Sequence, residues 1–390
     1  MVFKILSIIL ISINFFGITN IPNTILLLIL LLIGYTKLKT KTPFTVPIYL
    51  MFIGIILSFI PAFFFRNQTI LETFKASVNF FYIIFFFSLI KMQPSLKQTE
   101  KTIKYFAIIA SIIYITQFFL LQKDIIFLPL PENSIEQGEN VRFRILASGI
   151  FSLGYFYALN KYLILKKKEF LLIMFLCFTP ILLQAFRTMI VFIFLLTIIM
   201  LFVVYSNNKL QILKYIIIAF LLCILIMQIP IFADKLTYML EKQSTGEETF
   251  SNHDYIRWIS FKYYTTDYFK SSWEYIFGSG SAYVDSNFGK QEYATAQNGI
   301  FWVDWGIIGA IWIVGPITVF SLLWFAIKTS FLRKNKTNIY IGIWYIYLIF
   351  SSITTIEFLR PGNFIIHALA LYTAYKANQE YIKPQKTHNL

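Results

Sequence analysis

Charge is scarce in this sequence, and acid is scarcer than base. Charged residues fill 14% of the 390 positions, with 19 Asp and Glu against 34 Lys and Arg. A soluble domain carries about 25% charge. With 57% hydrophobic residues and a mean hydropathy of +0.67, the chain has too little polar surface to cover a water-soluble globule. Cysteine occurs only at Cys177 and Cys223, both inside apolar runs, which excludes a disulfide framework and any metal-type spacing. No Asp-x-Asp pair occurs, and the Glu247-Glu248 pair stands isolated beside Gly246. A metal-dependent transferase acting on a lipid phosphate would want such oxygen ligands for a hard cation. No Gly-x-Ser-x-Gly nucleophile elbow is present. No internal repeat is visible, which counts against transporters built from two related halves. No small-residue cleavage site follows the first apolar stretch, so it reads as a span and not as a signal peptide.

What is present is a series of apolar blocks of about 15–25 residues, the length that crosses about 30 Å of hydrocarbon. They are continuously apolar and not alternating, so they predict helices and exclude barrel strands. The expected spans are 3–18, 21–36, 46–65, 75–92, 103–121, 145–165, 169–185, 188–206, 210–232, 298–327, 338–358 and 362–377. The fold class is therefore all-α, a polytopic membrane protein of about twelve helices. Three regions follow: nine spans over 1–232, a long polar loop over 233–297, and three spans with a tail over 298–390.

Placing the N-terminus in the cytoplasm and alternating puts 21 Lys and Arg inside and 13 outside, but 3 acids inside and 16 outside. An error of one span would scramble this partition, so the positive-inside rule supports both the count and the orientation. The +15 net charge is thus a topology signal spread over many short loops, and nucleic-acid binding is not needed to explain it.

Arginine collects on the outer side. Arg66, Arg142, Arg144, Arg187, Arg257 and Arg360 are outer, whereas the inner segments carry Lys, with Arg333 the exception. Topology needs only positive charge, but a planar fork that binds phosphate oxygens in pairs needs Arg. Arg142 and Arg144 precede Ile145-Leu146-Ala147-Ser148-Gly149, and two readings fit them: interfacial snorkelling, or a pair at the mouth of a cavity. Arg187 lies in a tight turn, Gln184-Ala185-Phe186-Arg187-Thr188, between two apolar helices, where a charge usually faces a polar cavity or a partner. In the long loop, Ser251 to Trp258 contains His253 and Arg257, and an aromatic-rich run to Phe277 predicts an interfacial helix. Gly278-Ser279-Gly280 then forms a turn, and Gln297-Asn298 opens the next span. Arg257 suits a sugar–phosphate site or a plain surface charge, and His253 a base or an ordinary loop histidine. Glu357 and Arg360 flank the last outer turn, as a local salt bridge or as part of the site.

This layout resembles the bacterial O-antigen polymerases and ligases, multi-span enzymes with one long periplasmic loop late in the chain. Arg144-Ile145-Leu146-Ala147-Ser148-Gly149 resembles that family's Arg-x-x-x-x-Gly segment. Ala185-Phe186-Arg187-Thr188 resembles its Ser-Arg-Thr turn, with Phe186 in place of Ser. Arg257-Trp258, with Phe277-Gly278-Ser279-Gly280 downstream, resembles its Arg…Leu-Gly-x-Gly stretch. Gln297-Asn298, then Trp305-Gly306 and Gly309, resembles its His-Asn…Gly-x-x-Gly ending. Gln297 stands where ligases carry His, and Gln cannot act as a base, which favours a polymerase over a ligase.

The resemblance implies a GT-C-like fold in the inner (cytoplasmic) membrane, with both termini cytoplasmic and the site facing the periplasm. It implies glycosyl transfer without metal or other cofactor. The donor and acceptor would be glycans linked to undecaprenyl pyrophosphate, and a chain-length regulator protein a further partner. Arg187, Arg257 and His253 are then the expected catalytic residues. Arg142, Arg144, Gly278, Gly280, Gln297, Asn298, Glu357 and Arg360 are the expected substrate-binding residues. The competing classes are a non-enzymatic channel or receptor, against which the large aromatic loop and the absence of a pore-like polar stripe argue, and a lipid-linked oligosaccharide flippase. A flippase would place ionisable groups deep in its helices, whereas here they collect at the outer mouth.

Overall fold

The computed structural model describes residues 1–13, 23–128, 135–136, 142–143, 145–184, 186–206, 208–215, 217, 228, 233, 237 and 255–387. The long helices are α1 Val2–Ser12, α2 Asn23–Gly34, α3 Thr45–Arg66, α4 Ile70–Phe81 and α5 Phe85–Met92. A 3₁₀ turn, Tyr82–Ile84, joins the last two into one rod. Then come α6 Leu96–Leu121, α7 Gly149–Leu165, α8 Lys168–Gln184 and α9 Arg187–Val204. Short helices follow: α10 Ile256–Lys262 with a π turn Tyr263–Asp267, α11 Ser272–Phe277 and α12 Asn287–Gln297. The chain returns to long helices with α13 Gly306–Phe331, α14 Tyr340–Ser351 and α15 Asn363–Thr387. The only strands among the described residues are β1 Ile135–Glu136 and β2 Arg142–Phe143, paired antiparallel with Ile135 opposite Phe143.

Among the described residues, five stretches are long and apolar enough to cross a membrane: Thr45–Arg66, Ile70–Met92, Leu96–Leu121, Arg187–Val204 and Trp302–Phe331. This is the build of a helical membrane protein. The expected span 210–232 lies largely outside the described residues.

Helix ends follow local chemistry. Thr69 and Glu72 form a capping box, so α4 begins at Ile70, five residues before the expected span. Ser95 and Gln98 do the same for α6. The expected span 298–327 instead begins at Gly306, because Asn298 and Gly299 form a turn and Trp302–Trp305 a 3₁₀ helix.

Polar contacts gather in two layers at opposite helix ends. At the basic end, Lys161 pairs with Glu100 at 2.7 Å, and Tyr372 donates to the Pro94 carbonyl at 3.0 Å. At the other end lie the turns after α3, α8 and α14, together with residues 255–305. Between the layers sits an aromatic core. His367 is fully buried there among Trp344, Tyr345, Phe358 and Phe364, and its Nε2 lies 3.0 Å from the Phe358 carbonyl oxygen.

Helix α13 is broken at Gly315, whose φ of 78° and ψ of 159° leave the helical region just before Pro316. Proline has no N–H, so the Trp312 carbonyl loses its i+4 donor. The backbone of Gly278-Ser279-Gly280 supplies the missing groups: Ser279 N–H donates to Trp312 O at 2.8 Å, and Gly280 N–H to Ile313 O at 2.9 Å. Irregular backbone at membrane depth is tolerated only where protein covers it or where it lines a cavity. Both roles apply here. A Cβ at Gly278 would stand 2.5 Å from Gly315 N, and φ there is +81°. Gly278→Ala is therefore expected to lower stability by at least about 1–2 kcal/mol from backbone conformation alone. A reduced thermal unfolding midpoint in detergent checks it, and an unchanged midpoint contradicts the close fit of Gly278 against Gly315.

Candidate functional site

Three segments far apart in sequence meet at the loop end. Arg360 is 5% exposed and ion-paired with Glu357, which is fully buried. Its guanidinium also donates to Ser148 Oγ at 2.9 Å, reaches Gln184 Oε1 at 3.5 Å, and lies 5.6 Å above the Phe186 ring. Asn363 completes the weld. Its Nδ2 donates to the Glu357 carbonyl at 2.7 Å, and its Oδ1 accepts from Gly149 N–H at 3.0 Å. The Thr354 hydroxyl donates to the Thr188 hydroxyl at 2.9 Å. The Ser148-Gly149 patch, the Gln184–Thr188 turn and the Glu357–Arg360 turn thus form one polar knot.

Arg187 stands half-buried at the first position of α9, beside that knot. A cation there opposes the helix dipole, so local helix stability does not account for it. Buried polar atoms remain unsatisfied around the knot: both Glu357 carboxylate oxygens lack a hydrogen-bond partner beyond the ion pair, and so does Gln184 Nε2. Glu357 and Arg360 hold each other, so their geometry is that of a strut between segments.

On the other side of the Glu357–Arg360 turn is a cavity of about 320 Å³. Ile356, Leu359 and Pro361 of the turn line one wall, Ala310, Ile313 and Val314 of the broken α13 another, and Ala76, Asn79 and Phe80 of α4 a third. Gly280, Tyr268, Phe288, Trp302 and Glu292 close it. Gly280 has a φ of +82°, and an added Cβ would lie 2.7 Å from Ala62 Cβ, so its bare backbone is what fits between α3 and the cavity.

Helix α12 aims Phe288, Glu292 and Thr295 inward, a spacing of four and then three residues that keeps them on one face. The Tyr264 hydroxyl donates to Glu292 Oε2 at 3.4 Å, and Tyr263 and Thr295 hydroxyls lie 3.4 Å apart. Burial pushes the Glu292 carboxyl up to about 7, against the pull of the Arg66 charge and of hydrogen bonds from Tyr268 and Tyr264. Sequence reading passes over Glu292. Its only signal is the spacing that places it on the face of α12 shared with Phe288.

Arg66, counted among the outer arginines, is committed elsewhere. It grips Glu274 through Nε at 2.6 Å and Nη2 at 3.0 Å, donates to the Tyr268 carbonyl at 2.6 Å, and stacks 4.3 Å over the Tyr268 ring. This pair fastens the loop to the end of α3.

The remaining expected residues are dispersed. Arg257 is half-buried on α10, its carbonyl accepting from Trp305 Nε1 at 3.1 Å, and among the described residues nothing pairs with its guanidinium. Gln297 and Asn298 are exposed at the end of α12. Gly278 is a packing contact with Gly315. His253 and Arg144 lie outside the described residues, as does the Arg142 side chain. The strand that carries Arg142 is anchored by Phe143, which stacks on Tyr114 at 4.3 Å and whose carbonyl accepts the Tyr114 hydroxyl. Among the described residues no group of three His, Cys, Asp or Glu is placed to hold a metal ion. No protein family, curated protein or solved structure matches the chain.

Proposed function

We propose that the protein is a polysaccharide polymerase of the bacterial inner membrane, joining glycan repeat units carried on undecaprenyl pyrophosphate. Transfer takes place at the loop end, on the periplasmic side. What supports this reading most is the convergence of the Ser148, Gln184–Thr188 and Glu357–Arg360 segments beside a cavity walled by a broken helix. A discontinuous helix next to a ligand-sized cavity is how membrane proteins build binding sites at depth.

In this reading Arg187, Arg257, Arg142 and Arg144 hold the donor pyrophosphate and stabilise charge as it leaves. The acceptor is a sugar hydroxyl of a second lipid-linked unit, which attacks the anomeric carbon. Pyrophosphate is a good leaving group, so positioning and charge stabilisation carry most of the catalysis.

The test is a gel of surface polysaccharide from a deletion strain complemented with wild type or Arg257→Ala. The expected result is a ladder that collapses to single repeat units and returns only with wild type. Loss of one such contact costs about 2–4 kcal/mol of barrier, enough to erase long chains. Full-length polymer left on its lipid carrier would instead mean a ligase. Repeat units trapped in the inner leaflet would mean a flippase.

A further inference from the structure

The cavity beside the Glu357–Arg360 turn differs in chemistry from the arginine-bearing surface around it. Among its lining residues Glu292 alone carries formal charge, and no Lys or Arg is among them. A pyrophosphate would find no counter-charge in it. A neutral sugar would find a largely apolar lining that includes Phe80, Tyr268, Phe288 and Trp302, with polar groups from Asn79 and Ser281. Its roughly 320 Å³ lies at the small end of ligand pockets, which span about 300–1,000 Å³, so it suits the tip of a glycan and not a whole lipid-linked unit.

Glu292 stands at the edge of this space on a fixed helix. Tyr264 holds one carboxylate oxygen at 3.4 Å. The other groups that set its charge state are Tyr268 on the same loop and Arg66 at the end of α3, itself bound to Glu274 of α11. The walls from α4, α13 and the Glu357–Arg360 turn add no titratable side chain to the lining.

Resting on the polymerase reading, we infer that this cavity is the acceptor-sugar site and that Glu292 is its catalytic base. In the step, the acceptor hydroxyl oxygen forms a bond to the donor's anomeric carbon. The bond from that carbon to the phosphate oxygen breaks, and its electron pair leaves with undecaprenyl pyrophosphate. The hydroxyl proton passes to the Glu292 carboxylate. A base works best when its pKa lies near the working pH, and burial has moved this carboxyl to about 7. The assignment also supplies the base that Gln297 cannot be.

The experiment uses the full-length protein in liposomes with a synthetic lipid-linked repeat unit, following chain growth against pH. Wild type is expected to accelerate as pH rises through about 7 and then level off, because only the ionised carboxylate accepts a proton. Glu292→Gln, which keeps the shape and the Tyr264 contact, is expected to slow transfer by about 10²–10⁴-fold. Glu292→Asp is expected to retain part of the activity with its pH limb displaced. A flat wild-type profile between about pH 5 and 9, or a Glu292→Gln variant as fast as wild type, overturns the assignment of the base while leaving the polymerase standing. Absence of any glycosyl transfer by wild type overturns both.

Discussion

Glu274→Ala is expected to destabilise the protein by about 3–5 kcal/mol, since it leaves a buried arginine charge without its partner. The Arg66 and Glu274 side chains are 4% and 0% exposed, so water does not replace what is removed. The loss extends beyond the ion pair. Glu274 also accepts the Lys270 N–H at 2.6 Å, and Arg66 holds the Tyr268 carbonyl. Tyr268 in turn shares a 2.8 Å hydrogen bond with Ser279, between the two glycines that repair the broken α13. One carboxylate therefore anchors the whole loop from Lys270 to Gly280. At about 2–4 °C per kcal/mol, the thermal midpoint in detergent should fall by on the order of 10 °C. A double replacement, Arg66→Met with Glu274→Leu, removes both charges together and is expected to recover most of that loss, because well-packed apolar pairs often match buried ion pairs. A double variant as unstable as the single one would show that the charges themselves are required.

The sequence carries the all-helical membrane class, because lipid imposes a length and a composition that leave little choice. The expected spans 46–65 and 188–206 differ by a residue or two from Thr45–Arg66 and Arg187–Val204. Two ends moved where backbone chemistry outweighs hydropathy, at the capping box of Thr69 and at the turn that delays α13 to Gly306, and the expected spans 145–165 and 338–358 are helical only over Gly149–Leu165 and Tyr340–Ser351. The break at Gly315 is less visible, since hydropathy runs unbroken across it. Gly315-Pro316 is its local signal, but the groups that satisfy the freed carbonyls come from a three-residue loop segment 35 positions earlier, a long-range fact that no local pattern contains. The site divides in the same way. Ser148, Gln184, Arg187, Glu357 and Arg360 are each conspicuous as polar groups flanking apolar helices, but their meeting point is tertiary. Arg66 looks like its fellow arginines until Glu274, 208 residues away, is found beneath it. Glu292 looks like any loop acid until Tyr264, Tyr268 and the cavity surround it.

Arg360 offers the sharpest separation of holding from catalysing. Arg360→Ala should remove the protein from the membrane, since a fully buried Glu357 would be left charged and alone at a cost of about 3–5 kcal/mol. Arg360→Lys should not, because an ammonium still neutralises the carboxylate. What Lys lacks is the planar fork that meets Glu357 on one arm and Ser148 and Gln184 on the other. Without it the three segments can slip relative to one another, and with them Arg187 on one side and the cavity wall of Ile356, Leu359 and Pro361 on the other. A displacement of about 1 Å is enough to cost about 10² in rate. On the proposed polymerase function, Arg360→Lys is thus expected at near-normal membrane levels with chain growth reduced by about 10²-fold. As a positioning residue it should lower kcat while the KM for the lipid-linked donor stays close to wild type, since uniform binding is not what is lost. A raised donor KM at unchanged kcat would instead place the guanidinium directly on the pyrophosphate. Growth at the wild-type rate would mean that the knot is held by Asn363 and the Thr188–Thr354 bond without help from the fork.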